Sequence, residues 1–450
     1  MVVLNPSNRR ARRLAVSVIS SFEELLQCFA VAFTAPSFQT LTWLVTGWLF
    51  ARRRTITRLM VAAGVVGKKH HSAFHRLFAT ARWSLDELGL ILFMLLQPWL
   101  GEVVFLAVDD TLARKRGLKV FGVGMHHDPL LSSRNKAIMN WGHSWVILAV
   151  LVRFPLWPER VFAIPVLFRL YLNKKAAAKH RREYRSRPEL ALELLGMLCN
   201  RYSERCFHTV ADSAYGGQGV LTSLPSNCDL TSRLVMDARL YTAAPTPAPG
   251  QKGRPRKRGQ RLPTPSQMLE QRAQRQTLTL YGRRDRVRLV DTVAYVHAAP
   301  ACPLRIVAVA ALSGGRKPQA FYSTCHTATA VEVLTWYAQR WAIEVAFHDS
   351  KQHLGFEEPQ NWSRRAVERT APLAMLLYGL VVIWFARVGR KHYQPRQAPW
   401  YTTKRQPSFA DMLATLRSSS VRERIFSLAL KGAGSRKIKQ TVKNAVLMAA

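Results

Sequence analysis

Hydrophobic positions in the first hundred residues recur at helical spacing and are separated by short turn signals. Ser21-x-x-Glu24 and Ser84-x-x-Glu87 both match the capping-box pattern ahead of apolar runs, so residues 1–100 are expected to form a helical N-terminal domain. Within it, Thr55 to Ala63 and Ser72 to Ala81 predict two short helices joined by Gly-Val-Val-Gly-Lys-Lys. This is the outline of a helix-turn-helix, with Lys68, Lys69, His70, His71, His75 and Arg76 available to phosphates. From Val103 the period changes: Val103 to Val108 is a short apolar run ending in Asp109-Asp110-Thr111, the pattern of a buried strand that delivers carboxylates at its end. Ser144 to Val152 predicts a second strand, Pro188 to Arg201 an amphipathic helix, and Phe207 to Asp212 a further strand before a Ser-Ala-Tyr-Gly-Gly turn. That alternation indicates an α/β core.

Beyond residue 235 the pattern changes again. Ala244 to Ser266 is rich in Pro and Gly and reads as a basic loop. Thr277 to Tyr281, Arg286 to Val296, Leu304 to Leu312 and Ala320 to Thr324 predict strands of a mainly antiparallel β insertion. Glu332 to Leu354 reads as one long helix, and Pro372 to Arg387 as a second, nearly all apolar, with Pro at its first turn. The expected division is 1–100, the first part of the core at 101–235, the insertion at 236–327, the second part of the core at 328–390, and a basic C-terminal region at 391–450 that includes Arg436, Lys437, Lys439 and Lys443.

Charge sharpens the picture. With 66 Lys+Arg against 27 Asp+Glu, the net charge of the 450-residue chain is +39. The hydrophobic content of 48% allows large cores, which excludes a disordered basic tail and leaves a polyanion as the natural partner. Leu88 to Val108 is interrupted by Gln97, Pro98, Gly101 and Glu102, and Ala371 to Ala386 is short for a membrane span. Both are predicted to be buried, with no membrane as partner. The six cysteines form no C-x-x-C pair and read as reduced thiols. The N-terminus carries arginines without a compact apolar core and cleavage site, so an intracellular protein is expected.

The segment from Tyr337 to Lys351 concentrates the chemistry. On a continuous helix Tyr337, Arg340, Glu344 and Lys351 fall within about 60° of one another. A carboxylate inside a cationic stripe suits a site where the acid holds a metal cation and its neighbours grip phosphates; the same geometry also suits a solvated face with an Arg-Glu pair. His348 lies near the stripe and reads as a hydrogen-bonded bystander. Asp349, a rival to Glu344, lies outside the stripe and reads as solvent-facing or paired. His143, in Trp-Gly-His-Ser-Trp, reads as structural. The clusters Lys174 to Arg187 and Lys252 to Arg261 carry no sequence-reading code and read as phosphate tracks.

The spacing Y-(2)-R-(3)-E-(6)-K resembles the signature of DDE transposases of bacterial insertion sequences. Within them the chain resembles the group named after insertion sequence four, and in that group the branch named after insertion sequence seven-oh-one. Val108-Asp109-Asp110-Thr111 resembles the first motif, Val210-Ala211-Asp212-Ser213 the second, and the helix around Glu344 the third. The resemblance implies an RNase H-like catalytic core in which Asp110, Asp212 and Glu344 are catalytic and hold two divalent ions, usually Mg²⁺, with Mn²⁺ able to substitute; Asp110 would bridge them. Strand alternation puts Asp109 and Asp110 on opposite faces, and the pattern alone does not say which face is the site; the family motif favours Asp110. Hydrolysis and strand transfer need metals to activate a nucleophile and stabilise a leaving oxygen, and hard cations take oxygen ligands. The resemblance further implies that Tyr337, Arg340 and Lys351 bind DNA at the element's ends, and the basic residues Lys252, Arg254, Arg256, Lys257 and Arg258 are read as DNA-binding too. It implies double-stranded DNA as partner, both ends and target, a homodimer in the end complex, and a bacterial, cytoplasmic, nucleoid-associated setting. Some relatives stack a tryptophan on a flipped base, but no Trp occurs between 158 and 335; Tyr241, Tyr281, Tyr295, Phe321 or Tyr322 offers an aromatic face instead. The rival readings are a repair or recombination nuclease of the same fold and a non-catalytic DNA-binding regulator.

Overall fold

The structure is a computed structural model that describes residues 18–133, 135–246, 256–280, 283–313, 317–395 and 406–430, with positions 434, 435, 438, 439 and 442. In chain order it opens with helices α1 (Ser20–Gln27), α2 (Ala35–Phe50), α3 (Ile56–Ala62), α4 (His71–Ala79) and α5 (Leu85–Leu96). Strands β1 (Val103–Arg114), β2 (Gly124–His127), β3 (Met139–Arg153) and β4 (Val161–Tyr171) precede α6 (Lys174–Lys179) and α7 (Arg187–Arg201). Then come β5 (Cys206–Ala211), α8 (Gln218–Leu221), β6 (Cys228–Leu234), β7 (Leu240–Tyr241), β8 (Arg261–Leu262) and α9 (Pro265–Gln271). Strands β9 (Gln274–Leu280), β10 (Arg283–Val296), β11 (Ala299–Ala311) and β12 (Gln319–Ser323) lead to α10 (Ala330–Gln339), α11 (Trp341–Leu354), α12 (Arg364–Arg387) and α13 (Phe409–Leu430). The chain forms two compact units, one of residues 1–91 and 349–450, the other of 92–348.

The unit of residues 92–348 is built on one mixed sheet of twelve strands in the order β2-β3-β1-β5-β6-β12-β11-β10-β7-β8, with β4 beside β3 and β9 beside β10. Strands β1 and β3 are antiparallel, whereas β1, β5 and β6 run parallel. The central strands are apolar without alternation because both faces are covered: Val146 to Val150 are fully buried. This large mixed sheet is consistent with the RNase H-like core expected. The insertion strands pair antiparallel, as their patterning predicts, and β12 joins them to β6, so insertion and core share one sheet. Strand β4 escapes the sequence reading because Pro165 sits inside it. Among the described residues it pairs with β3 alone, and the register shifts between Leu148 and Ala149 opposite that proline, where a missing N–H is tolerated.

The other unit is helical. Gly47 lets α2 lie on α3, since a Cβ there would come 2.1 Å from the Leu59 carbonyl oxygen. Helix α12 is its core: an 18-residue window has mean hydropathy 1.6 and is 89% buried. Among the described residues it is the one helix long and apolar enough to cross a membrane, and its burial inside the protein accounts for that composition. It starts at Arg364, so Pro372 lies in its interior and not at its first turn as the sequence suggested. Dense packing of the surrounding apolar side chains outweighs the lost backbone bond. Ser21 does not cap α1; its hydroxyl accepts from the Trp384 indole at 3.0 Å, a donor that needs a partner once buried. Ser84 does accept from the Glu87 amide at 3.4 Å. The two helices expected around Gly64–Lys69 form as α3 and α4, with Gly64 and Gly67 at positive φ. Lys69 bonds the Pro36 carbonyl and Thr40 and lies over Trp43.

Candidate active site

Strand β1 carries two adjacent carboxylates through the middle of the sheet. It runs six residues past Val108, so Asp109 and Asp110 lie within the strand and not at its end. Antiparallel pairing with β3 extends to Arg114 and holds Asp109 opposite Ile147 and Asp110 opposite Val146. Successive side chains therefore point to opposite faces. One face is marked by Phe105, whose ring lies 5.5 Å from His208 and 5.9 Å from Trp336 of α10. Asp109, four residues after Phe105, shares this face. So does Asp212, four residues after His208 and one beyond the Val108–Ala211 pair of β1 and β5.

The helix that the sequence predicts as continuous is divided at a single residue, Arg340, whose own dihedrals stay helical at φ −52° and ψ −35°. Helix α10 ends at Gln339 and α11 begins at Trp341, with the joint at Arg340. The Arg340 amide bonds the Tyr337 carbonyl and the Ile343 amide bonds that of Arg340, both tight three-residue spacings. From this joint the guanidinium forks: one nitrogen donates to Asp109 Oδ2 at 2.5 Å and the other to Glu344 Oε1 at 2.6 Å. Arg340 and Asp109 are 16% and 14% exposed, Glu344 34%. Burial pushes the Asp109 carboxyl up to about 7, with Arg340 pulling it down and Asp110 and Asp212 adding to the rise. Burial opposes the Arg340 charge as well, but Asp109, Tyr337 and Glu344 outweigh it and keep the guanidinium charged.

Asp110 belongs to the opposite face. Tyr215 donates to its Oδ1 at 2.9 Å, Arg187 lies 3.2 Å from its Oδ2, and the Ser144 hydroxyl reaches Oδ2 at 3.5 Å. Arg187 also donates to Ser144 and stacks over Tyr171 at 4.4 Å. Burial, followed by Asp110, raises the Tyr215 phenol well above its usual range, so it stays a donor. Arg187, Tyr215 and Ser144 are not among the residues the sequence nominates for the site. Arg187 sits in the Lys174–Arg187 cluster, read as a phosphate track. Two of that cluster's arginines are engaged internally, Arg187 here and Arg185 with Glu193.

The remaining nominated residues scatter. Asp212 accepts from the Ala214 amide at 2.8 Å and starts a short turn. Tyr337 is 7% exposed in a cluster with Leu278, Val287, Phe321 and Leu334, its ring 4.6 Å from Phe321. Lys351 pairs with Glu357 at 3.5 Å. Lys252 and Arg254 lie outside the described residues, as do Tyr281 and Arg436, Lys437 and Lys443 of the basic tail. Arg256 and Lys257 are exposed, and Arg258 donates to Tyr241. His143 is buried, with Nε2 2.8 Å from the Phe121 carbonyl oxygen. Asp349 is buried rather than solvent-facing, and His348 is exposed.

A family model described as DDE superfamily endonuclease matches residues 25–291. The chain belongs to this family. The match takes in Asp109, Asp110 and Asp212 and stops short of Arg340 and Glu344. No curated protein matches the chain. Membership in the DDE superfamily endonucleases implies a DNA substrate and a metal-dependent nuclease. Carboxylates suit such a hard ion, and the face of Asp109, Asp212 and Glu344 gathers them. Among the described residues no three His, Cys, Asp or Glu side chains converge closely enough to hold one, and the cation between Asp109 and Glu344 is Arg340. The donors thus fit a divalent ion in kind, while in this structure the two carboxylates bond a guanidinium.

Proposed function

We propose that this chain is the transposase of a bacterial insertion sequence, of the group and branch that its Y-(2)-R-(3)-E-(6)-K spacing resembles. The observation that carries this reading is the Arg340 fork, which joins Asp109 of the central strand to Glu344 on the sheet face that Asp212 shares. Asp212 and Glu344, with a carboxylate of the Asp109–Asp110 pair, hold two Mg²⁺ ions, or Mn²⁺. When bound, these ions activate water or a 3′-hydroxyl and stabilise the leaving oxygen. Arg340 and Lys351 grip phosphates, while Lys252, Arg254, Arg256, Lys257 and Arg258 extend the basic track, in keeping with a net charge of +39. Tyr337, buried as it is, sets the position of α10 under Arg340. The α3–α4 pair binds the inverted repeats, two copies of the chain hold the paired ends, and the reaction takes place on cytoplasmic, nucleoid DNA.

The test uses linear DNA carrying the sequences that flank the gene, a second DNA as target, and Mg²⁺ or EDTA. The expected result is Mg²⁺-dependent cleavage at paired inverted repeats, followed by covalent joining of the 3′ ends to the target. Cleavage without joining would replace this reading by a nuclease of the same fold, and binding without cleavage by a DNA-binding regulator.

A further inference from the structure

We propose that Asp109, and not its neighbour Asp110, is the first carboxylate of the metal-holding set, and that Arg340 occupies the cation's place until an ion displaces it. The inference rests on the endonuclease reading and assigns its residues.

Three observations support it. The first is the face. Phe105, His208 and Trp336 mark the side of the sheet on which α10 packs, and alternation places Asp109 and Asp212 there. Bringing Asp110 to that side requires a one-residue slip of β1 against β3, whose nine paired positions from Leu106 to Arg114 resist it. The second is convergence. Asp109 and Glu344 come from elements 235 positions apart in sequence and meet on a single guanidinium, so their oxygens already surround one positive charge. The third is the kind of partner. Both oxygens of each aspartate are engaged, those of Asp109 by the Asp110 amide and Arg340, those of Asp110 by Tyr215 and by Arg187 and Ser144; but Asp109 shares its guanidinium with a second carboxylate, Glu344, whereas Asp110 shares Arg187 with the Ser144 hydroxyl. That arrangement holds Arg187 at the start of α7 and leaves Asp110 a structural anchor. One donor of Arg340 is unmatched where it sits: its Nε is buried without an acceptor. Swinging outward would turn it from a stand-in for the ion into a donor for phosphates.

The test is Mn²⁺ binding to the full chain without DNA, read from the electron paramagnetic resonance of free Mn²⁺, with circular dichroism to verify folding. Asp109→Asn is expected to weaken binding about tenfold or more, as loss of a ligand does. Asp110→Asn is expected to stay within about threefold of wild type, and Arg340→Gln to tighten binding by about threefold or more, because the competing cation is gone. Loss of binding in Asp110→Asn with binding kept in Asp109→Asn would overturn the assignment. Unchanged or weaker binding in folded Arg340→Gln would overturn the stand-in role. Should Asp109→Asn fail to fold, Asp109→Cys gives the answer: a thiolate ligand shifts preference from Mn²⁺ towards Cd²⁺ relative to wild type, and absence of that shift would count against Asp109. Wild type that binds no Mn²⁺ and cuts no DNA would instead remove the endonuclease reading, and this inference with it.

Discussion

Replacing Arg340 by Gln isolates the interaction on which the site is built. Asp109 is 14% exposed and Arg340 16%, so the substitution leaves a buried carboxylate without its counter-charge, at a cost of about 3–5 kcal/mol. The Glu344 arm, 34% exposed, adds only about 0.3–0.5 kcal/mol. Asp109→Asn alone keeps that arm and loses one charge-assisted bond, about 1.5–3 kcal/mol. The double variant removes both buried charges and should be more stable than Arg340→Gln by about 2 kcal/mol, a coupling that two independent sites would lack. Because the chain has two compact units, a global unfolding curve would not assign the change to this site. Native-state hydrogen exchange at the amides of α10 and α11 reads the local effect. Protection should fall by about two to three decades in Arg340→Gln and recover by at least one in the double variant. Equal protection in Arg340→Gln and wild type, or no recovery in the double variant, would refute the buried fork.

Three further outcomes follow from the same structure. His143 and His208 are held neutral by burial, their imidazoles pushed down to about 3 and about 4. Since the unfolded chain takes up these protons first, stability of residues 92–348 should begin to fall as pH drops below about 6.5 and continue to fall towards 4, by about 1.4 kcal/mol per unit for each fully deprotonated histidine; a thermal midpoint that is flat from pH 7 to 4.5 would contradict this. Asp128 accepts from Arg114 and Asn140, both at 2.7 Å, and from the Leu130 and Leu131 amides; the Arg114 bond leads in holding its carboxyl down at about 2. That contribution is present above about pH 4 and lost as pH falls towards 2, so Asp128→Asn should cost about 1–2 kcal/mol in urea unfolding at pH 7 and less at pH 3. Arg369 donates to the carbonyls of Phe78, Ala81 and Trp83 and stacks on the Trp83 ring. Arg369→Met should therefore raise exchange at the end of α4 by about tenfold or more, and unchanged exchange would show that these bonds are dispensable.

The carboxylates and the Arg340–Glu344 pair were visible in the sequence, but the link from Arg340 to Asp109 and the partners of Asp110 were not. The run Val103 to Val108 marks a buried strand because both faces are apolar, yet the same run hides where the strand ends: pairing with β3 continues through polar residues that no hydrophobic count detects. Whether Asp109 or Asp110 faces Glu344 is decided by which side α10 covers, a long-range fact. The joint at Arg340 is equally silent, since Gln-Arg-Trp contains neither Gly nor Pro, and so is the bond from Arg340 to Asp109, 231 positions away. The wheel's course is nearly kept, because Arg340 between the two helices is itself in the right-handed helical region; what it missed is that Tyr337 is covered by Leu278, Val287 and Phe321. Conversely, Pro165 and Pro372 signal breaks that packing overrides, one on an edge strand and one in a buried helix. The insertion strands were legible because turn residues bound each of them.

The most direct test of the account is DNA cleavage by Glu344→Gln, a variant that keeps the side chain's size and its reach to Arg340 while removing the charge that would hold an ion. With Mg²⁺ and DNA bearing the gene's flanking sequences, the variant should bind as wild type does, retain its circular dichroism, and lose cleavage by about 100-fold or more. Wild-type cleavage rates from the folded variant would contradict the claim that this face of the sheet is the catalytic one.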